Sequence, residues 1–283
     1  MLKNNKKIIV LYHNKCSDGF GAAWSAWKKF GDKASYSGVN HGDPLPKIIK
    51  GKIVYLLDFS YPMDKTHKLV KNAKRVISID HHISAEKSTK AAHEYSYALN
   101  HSGAALAWKY FHPNKKIPKL ISYIEDIDLW KRILPKTMEL NLALRIFPLD
   151  FKIWSKIAYD WDQKKLREKY AMEGVAMLKY ENDLVSRIIE DAEDVIINKQ
   201  KASVVNAPVR LASQIGDALV KGRRHPIGIV WQKKNEKFLV SLRSRSSSDV
   251  SKIAVSYGGG GHRNAAAFRL PAKIKFPWKV IKK

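Results

Sequence analysis

Short apolar runs alternate with stretches of helical periodicity in the first part of the chain. The runs are rich in Val and Ile and cover residues 7–12, 52–58 and 75–79. Apolar residues at helical spacing follow each run, and the predicted helices cover residues 19–30, 62–73 and 102–111, the last with Ser102 as its cap. Alternation of strand and helix predicts right-handed crossovers, and therefore an α/β domain with a doubly wound parallel sheet.

A long charged stretch separates this region from a second, smaller α/β domain. Residues 163–192 are poor in Gly and Pro and carry apolar residues near helical spacing, which predicts a connecting helix. After it we expect a helix around residues 212–221 and a hairpin of residues 227–231 and 238–242. The predicted domains are residues 1–192, which end with the connecting helix, and residues 193–283.

The charge of the chain favours a polyanionic partner. There are 52 Lys and Arg against 26 Asp and Glu, and residues 193–283 hold 19 of the basic and 5 of the acidic residues. Such an excess is typical of proteins that bind nucleic acid or phosphorylated metabolites, although a Lys-rich solvated surface explains it equally well.

Cysteine content and hydropathy argue against a disulfide-bonded protein and against a membrane protein. The single cysteine, Cys16, excludes an internal disulfide and a zinc site built on paired thiolates. No run of 18 or more apolar residues is present, so we expect a soluble cytoplasmic protein that does not associate with membranes.

Acidic and imidazole side chains recur where the predicted strands end. They follow the three runs in order: His13 and Asp18, then Asp58, then Asp80, His81 and His82. At one edge of a parallel sheet these groups would repel each other or be poorly solvated unless metal ions neutralise them. Oxygen and nitrogen ligands suit manganese or magnesium better than zinc or cobalt. Taken singly, each residue is explained as well by a capping or a core role.

A further acidic cluster lies in an otherwise apolar segment, residues 123–130, and consists of Glu125, Asp126 and Asp128. An exposed helix end is the alternative explanation for this cluster.

The second domain contains a glycine-rich loop, residues 258–261, which is followed by His262 and by alanines at 265–267. Successive glycines allow backbone N–H groups to close on a phosphate or a sugar, and a helix of small residues behind them would add a favourable dipole. A flexible hinge is the alternative. Arg243 and Arg245 alternate on one face of a predicted strand, where guanidinium groups suit bidentate phosphate contacts or stay simply exposed.

The ordered set of motifs resembles the DHH phosphoesterase superfamily, which includes RecJ-like exonucleases and nano-RNases. Asp80-His81-His82 is the signature tripeptide, and the elements in family order are HNKCSDGFGAA (13–23), LDFS (57–60), IDHH (79–82) and EDID (125–128). SLRSR (241–245) and GGGGHRNAAAF (258–268) are similar to the substrate-binding domain associated with that family. The resemblance spans almost the whole chain.

The resemblance implies a role for each motif residue. Asp58 would bridge two metal ions, with His13 and Asp18 at one position and His81 and Asp126 at the other. His82 would lie near the scissile phosphate, oriented by Asp80. The second domain would hold the terminal phosphate or nucleotide through Arg243, Gly260, Gly261 and His262. Mn²⁺ is the implied cofactor, with Mg²⁺ as the alternative, at one or two ions per chain.

The first motif departs from the common pattern. Relatives have a second aspartate two residues after the first, and that position is Phe20 here, so one ligand is missing in this alignment. His13 also stands one residue further from Asp18 than in most relatives, so either a bulge restores it or Asn14 or Cys16 faces the metal instead. Ala267 replaces the glycine of many relatives.

These features favour a metal-dependent phosphoesterase acting on short oligonucleotides or other small nucleotide phosphodiesters. Substrate held between the two domains would be limited to roughly two to five nucleotides. A phosphatase of polyphosphate, pyrophosphate or a bisphosphorylated nucleotide is the second hypothesis. The third is a degenerate protein that only binds single-stranded nucleic acid. Trp130, Trp231 and Tyr257 could stack on bases, and burial in the core is the alternative role for these rings. No stable protein partner is expected.

Overall fold

The computed structural model describes residues 6–40, 42–222, 225–245 and 248–281. The chain divides into two compact units between Leu178 and Lys179, inside one long helix. In the described ranges, no helix combines the length and the apolar character that crossing a membrane requires.

One five-stranded parallel sheet organises the first unit. Its strands are β1 (Ile8–His13), β2 (Ala34–Val39), β3 (Ile53–Leu57), β4 (Arg75–Asp80) and β5 (Glu94–Tyr97). They lie in the order β2-β1-β3-β4-β5, and every pair is parallel. The first helices are α1 (Ser17–Phe30), α2 (Met63–Asn72), α3 (Glu86–Lys90) and α4 (Gly103–Phe111).

Both faces of this sheet are covered by helices. Because successive strand residues point to opposite faces, Val10 and Leu57 pack against Ala22 of α1 on one face. Leu11 and Leu56 pack with Leu69 of α2 on the other face. The predicted doubly wound parallel sheet is therefore confirmed, and so is the Ser102 cap, whose hydroxyl accepts a hydrogen bond from the Ala105 backbone.

A helical layer completes the first unit, built from α5 (Lys119–Asp128), α6 (Thr137–Arg145), α7 (Phe151–Asp162) and the first part of α8 (Lys164–Glu190). These helices enclose an aromatic core that includes Phe20, Trp24, Trp154 and Trp161, each at most 2% exposed. Strands β2 and β5 lack the long apolar runs that identify the central strands, since their sequences are ASYSGV and EYSY.

The second unit is built on a seven-stranded sheet. Its strands are β6 (Glu193–Ile197), β7 (Gln200–Asn206), β8 (Ile227–Lys234), β9 (Lys237–Ser244), β10 (Gly260–His262), β11 (Ala265–Pro271) and β12 (Trp278–Val280). Their order is β10-β11-β9-β8-β7-β6-β12, and only the β7–β8 pair is parallel. The helices are α9 (Ala212–Gly222) and α10 (Val250–Ser256). The predicted hairpin corresponds to β8 and β9, and the predicted helix to α9.

The expected helix after the glycine-rich loop is wrong. Residues 265–271 form β11, which pairs with β9 along its whole length. Ala266, Phe268 and Leu270 are buried while the residues between them are more exposed. Burial of every second residue is the pattern of a strand. The small residues of this segment would suit a helix equally well, but pairing with β9 provides their backbone hydrogen bonds.

Candidate metal centre

Three neighbouring strands end at the same edge of the first sheet. His13 is the last residue of β1, Asp58 directly follows β3, and Asp80 is the last residue of β4, with His81 after it. Because β1, β3 and β4 are adjacent and parallel, their carboxyl ends bring these side chains to one place. The sheet order thus produces the convergence that the motifs predicted.

Asp58 lies at the middle of this edge with an unusual backbone. Its φ is 60°, in the left-handed region, and its N–H donates to the carbonyl of Ile79. The residue is 1% exposed, and within the described residues neither carboxylate oxygen has a hydrogen-bond partner of good geometry. Oδ2 lies 3.4 Å from Nδ1 of His13, and Oδ1 lies 3.3 Å from Nε2 of His81. Each oxygen therefore faces a different imidazole.

Possible ligands form three groups at this edge, and one of them, Asp58, His81 and His82, shares a residue with each of the other two. In the first of these two, which we call the Cys16 group, ligand atoms of His13, Cys16 and Asp58 all lie within 4.8 Å of one another. The same limit holds for the second, the His81 group, which consists of Asp18, His81 and Asp128. In the His81 group, Nε2 of His81 lies 3.6 Å from Oδ2 of Asp18 and 3.6 Å from Oδ2 of Asp128.

The geometry fits divalent ions. An ion with bonds of about 2.0–2.3 Å holds tetrahedral ligand atoms about 3.5 Å apart. The four distances from the rings of His13 and His81 to carboxylates at this edge are 3.3–3.6 Å. The buried oxygens of Asp58 have no hydrogen-bond donor of good geometry among the described residues. Binding of a divalent ion would therefore stabilise them.

The charges of the cluster are unbalanced without a cation. Burial, and then the charges of Asp58 and Asp128, raise the pKa of Asp18 well above its usual range. Burial raises the pKa of Asp128 to about 6. Burial alone would lower the pKa of His81, but its close contact with Asp58 and the nearby carboxylates raise it to about 10. The protein by itself supplies too little positive charge at this edge, which a divalent cation would provide.

Asp80 has a different environment from the other acidic residues. Its Oδ1 accepts hydrogen bonds from the backbones of His81 and His82 at 2.7 and 3.1 Å, and lies 2.8 Å from Nδ1 of His82. Its Oδ2 accepts from the hydroxyl of Ser60 at 3.1 Å. Asp80 thereby fixes both the backbone after β4 and the ring of His82. The ring of His82 is close enough to Asp58 and His81 to be a further ligand.

Asp126, a predicted metal ligand, does not lie in either group. Its carboxylate accepts hydrogen bonds from the backbones of Ile133 and Leu134 and from the hydroxyl of Thr137. Asp128 takes the place at the cluster. Residues two apart on a helix differ by about 200° in direction, so only one of them can face the centre. The sequence therefore shows that only one of Asp126 and Asp128 can face the cluster, but it does not show which one.

The first motif is also arranged differently from the expectation. Asp18 belongs to the His81 group rather than with His13, and Cys16 is the partner of His13. Phe20 is 1% exposed in the aromatic core, stacked on Phe151. The position that lacks the aspartate of the common pattern therefore faces the aromatic core and not the cluster.

Two of the predicted phosphate-binding residues of the second unit, Arg243 and His262, share one row of its sheet. His262 pairs with Ala265, which pairs with Arg243 on the next strand. Arg243 donates from Nη2 to the hydroxyl of Ser213 at 2.6 Å, and burial lowers its pKa to about 10. Gly261 has φ 142°, and a Cβ there would meet the carbonyl of Ala265 at 2.5 Å. The register therefore requires a glycine next to this row.

Comparisons with known proteins address both units. The family model described as "DHHA1 domain" matches residues 201–278, inside the second unit. The uncharacterized protein R106 of Acanthamoeba polyphaga mimivirus is 32% identical over 286 residues, which cover 91% of this chain and 66% of R106. The chain thus spans slightly less than two thirds of that relative.

Solved structures show the same fold at low identity. The DHH domain of a member of the s1p family of ribosomal proteins has a TM-score of 0.59 at 14% identity, over 93% of this chain and 82% of that one. RecJ from Thermus thermophilus in complex with Mn²⁺ has a TM-score of 0.55 at 14% identity, over 94% and 50%. A pGpG-specific phosphodiesterase from Vibrio cholerae has a TM-score of 0.50 at 16% identity, over 94% and 94%.

These likenesses agree with the motifs in both units. The parallel sheet presents Asp80-His81-His82 at its edge, and residues 201–278 of the second unit match the DHHA1 domain. The chain therefore has a DHHA1 match over residues 201–278 and shares its fold with solved DHH-domain and RecJ structures.

Proposed function

We propose that the chain is a divalent-metal-dependent phosphoesterase that hydrolyses short oligonucleotides or other small nucleotide phosphodiesters. The observation that carries the proposal is the buried carboxylate of Asp58, one oxygen of which faces His13 and the other His81. A carboxylate shared in this way suits two adjacent ions, the arrangement that phosphoryl-transfer enzymes use to stabilise both attacking and leaving oxygens.

The proposed cofactor is Mn²⁺, with Mg²⁺ as the alternative. The His81 group together with Asp58 offers oxygen and nitrogen ligands only, the set that these hard ions prefer. When bound, such ions lower the pKa of water and neutralise charge on the phosphate. The Mn²⁺ complex of a RecJ protein with the same fold supports this choice.

Asp80 and His82 would orient the substrate. Asp80 holds Nδ1 of His82, so the direction of the ring is fixed before substrate arrives. A ring held in this way can contact the phosphate without an ordering cost, which is the benefit of a preorganised site. We propose that His82 contacts the scissile phosphate and that Asp80 is its positioning residue.

The second unit would bind the end of the substrate. Arg243, Gly260, Gly261 and His262 lie on β9 and β10, and β11 pairs with both of these strands. A guanidinium group can make two parallel hydrogen bonds to a phosphate. The excess of basic residues in 193–283 adds a general attraction for anions. A nucleotide substrate is further supported by the name of the pGpG-specific phosphodiesterase, which has this fold.

The test is cleavage of 5′-labelled ribo- and deoxyribodinucleotides and longer oligomers with added Mn²⁺, with polyphosphate and pyrophosphate as parallel substrates. The matched variant is Asp58→Asn, because asparagine tolerates the left-handed backbone at this position while removing the charge. The control is Asp64→Asn, an exposed residue of α2. Activity should be lost in the first variant and kept in the second.

Other outcomes separate the hypotheses. Turnover of polyphosphate or pyrophosphate without dinucleotide cleavage would replace the phosphodiesterase with a phosphatase. Alternatively, the protein could bind single strands in a way that depends on salt but not on metal, and turn over none of the substrates. That result would indicate a protein that only binds nucleic acid.

A further inference from the structure

We propose that one of the two metal positions is built on a thiolate, in which Sγ of Cys16 binds a divalent ion together with His13 and Asp58. The inference rests on the metal dependence proposed above and deepens it by assigning a soft ligand to one position. It predicts that the two positions differ in the ion they prefer.

The geometry of the Cys16 group supports a ligand role. Ligand atoms of His13, Cys16 and Asp58 lie within 4.8 Å of one another, and Nδ1 of His13 is 3.4 Å from Oδ2 of Asp58. Small adjustments bring such a set to the bond lengths of zinc, about 2.3 Å to sulfur and about 2.0–2.2 Å to nitrogen and oxygen.

The position of Cys16 leaves its side chain available for this role. Cys16 is the residue before α1, and its side chain makes no capping hydrogen bond. Its thiol is half-buried, so it lies at the cluster without being sealed in the core. The thiol lies beside the carboxylates of Asp58, Asp18 and Asp128.

The shared carboxylate gives an independent indication of an ion. Asp58 is 1% exposed, and Oδ2, the oxygen that faces His13, has no hydrogen-bond partner of good geometry among the described residues. A buried carboxylate oxygen in this state is costly unless a cation binds it. An ion held with Cys16 and His13 would give Oδ2 that partner.

The turn into α1 directs Cys16 and Asp18, which are two residues apart, to different groups of ligands. Lys15 has φ 56°, which marks a tight turn between β1 and α1. Beyond it, Cys16 joins the group of His13 and Asp18 joins the group of His81. Cys16 and Asp18 thus each supply a possible ligand, one to each group. Neither group needs a ligand at the position of Phe20.

A thiolate changes the preference of the position that it occupies. Soft sulfur ligands favour zinc or cobalt, whereas carboxylate ligands favour manganese or magnesium. The Cys16 group should therefore prefer zinc or cobalt, and the His81 group, which has no sulfur, should keep the preference for manganese or magnesium.

The experiment is an anaerobic titration of the reduced, metal-free full chain with Co²⁺, followed by absorption spectroscopy. A thiolate bound to Co²⁺ gives a charge-transfer band in the near ultraviolet, while the visible bands report bound Co²⁺ with any ligands. Cys16 is the only cysteine of the chain, so a charge-transfer band has a single possible source. The variants are Cys16→Ser, which suits the position before a helix, and Cys16→Asp, which replaces the thiolate with a carboxylate.

The wild type should show both kinds of band, and both variants should lose the near-ultraviolet band while keeping visible bands. Competition between Zn²⁺ and Mn²⁺ should shift toward Mn²⁺ in Cys16→Asp. Visible bands without a near-ultraviolet band in the wild type would overturn this inference and leave the metal dependence standing. No bound Co²⁺ in any of the proteins would overturn both.

Discussion

The backbone N–H of Gly103 donates a 2.6 Å hydrogen bond to Oδ2 of Asp18, 85 residues earlier in the chain. The N–H of Ala104 donates to Oδ1 of the same carboxylate at 2.9 Å. The first turn of α4 thus binds Asp18 through both oxygens, and the positive end of the helix dipole offsets part of the burial that raises the pKa of Asp18. Asp18 is held in place by an element that contributes no ligand of its own.

Gly103→Ala should disrupt the proposed metal centre by displacing Asp58. A Cβ at this position would meet Oδ1 of Asp58 at 2.7 Å and its Cβ at 2.6 Å. Asp58 is fully buried, so it has little room to move away. We expect loss of Mn²⁺ binding and of phosphodiesterase activity, measured by calorimetric titration and dinucleotide cleavage.

Gly222→Ala is the matched control, because a Cβ there would meet nothing within 4 Å. Its metal binding and activity should equal those of the wild type. If Gly103→Ala also binds Mn²⁺ normally, α4 does not pack against the centre as tightly as the structure indicates.

Asp128→Asn and Asp126→Asn should separate metal binding from stability. Asp128 lies 3.6 Å from His81, so its amide variant should lose metal affinity with little loss of fold stability. Asp126 accepts three hydrogen bonds while 3% exposed, so its variant should lower the free energy of unfolding by about 1–3 kcal/mol and still bind metal.

Denaturant unfolding and metal titration of both variants check this pair of outcomes. The opposite result, with metal binding lost in Asp126→Asn alone, would restore Asp126 as the ligand that the motif comparison implied.

Arg243→Lys should weaken substrate binding more than turnover. The guanidinium group is half-buried, and its Nη2 atom donates to Ser213, so its planar fork is held in one direction. A lysine keeps the charge but cannot make two parallel hydrogen bonds to a phosphate. We expect KM for a dinucleotide to rise by about tenfold, a loss of about 1.4 kcal/mol, with kcat nearly unchanged.

The control for this variant is Arg269→Lys, because Arg269 is exposed on the adjacent strand β11. It should leave KM unchanged. An unchanged KM in Arg243→Lys would mean that the charge at 243, rather than the shape of the guanidinium group, attracts the substrate.

His112 should make the fold less stable in mild acid. Its Nε2 donates to the carbonyl of Ser25, its ring lies 4.3 Å from that of Trp108, and burial lowers its pKa. The folded state therefore favours the neutral ring. This contribution to stability is complete above the unfolded-state pKa of about 6.5, and it is lost as the pH falls from there through the lower pKa of the folded protein.

Thermal unfolding of metal-free wild type and His112→Gln between pH 8 and pH 5 tests this expectation. The wild type should lose more stability over that range than the variant, because only the wild type has this ring to protonate. Identical slopes would show that His112 contributes nothing to the acid sensitivity.

The local sequence determined the main elements and most of the chemistry. Val- and Ile-rich runs specified the central strands β1, β3 and β4, because a strand buried on both faces needs continuous apolar residues. The acidic and imidazole residues at their ends followed from the same pattern. Edge strands such as β5 are half-exposed and carry no such run, so the sequence did not reveal them.

Only the tertiary structure decided which of these side chains lie together in one group of possible ligands. The direction of α5 places Asp128 rather than Asp126 at the cluster, and the turn into α1 pairs Cys16 with His13 and Asp18 with His81. Likewise, pairing with β9 made residues 265–271 a strand. Spacing along the chain limits which residues can face one point, but the packing of helices and strands selects among them, because that selection depends on contacts between residues far apart in sequence.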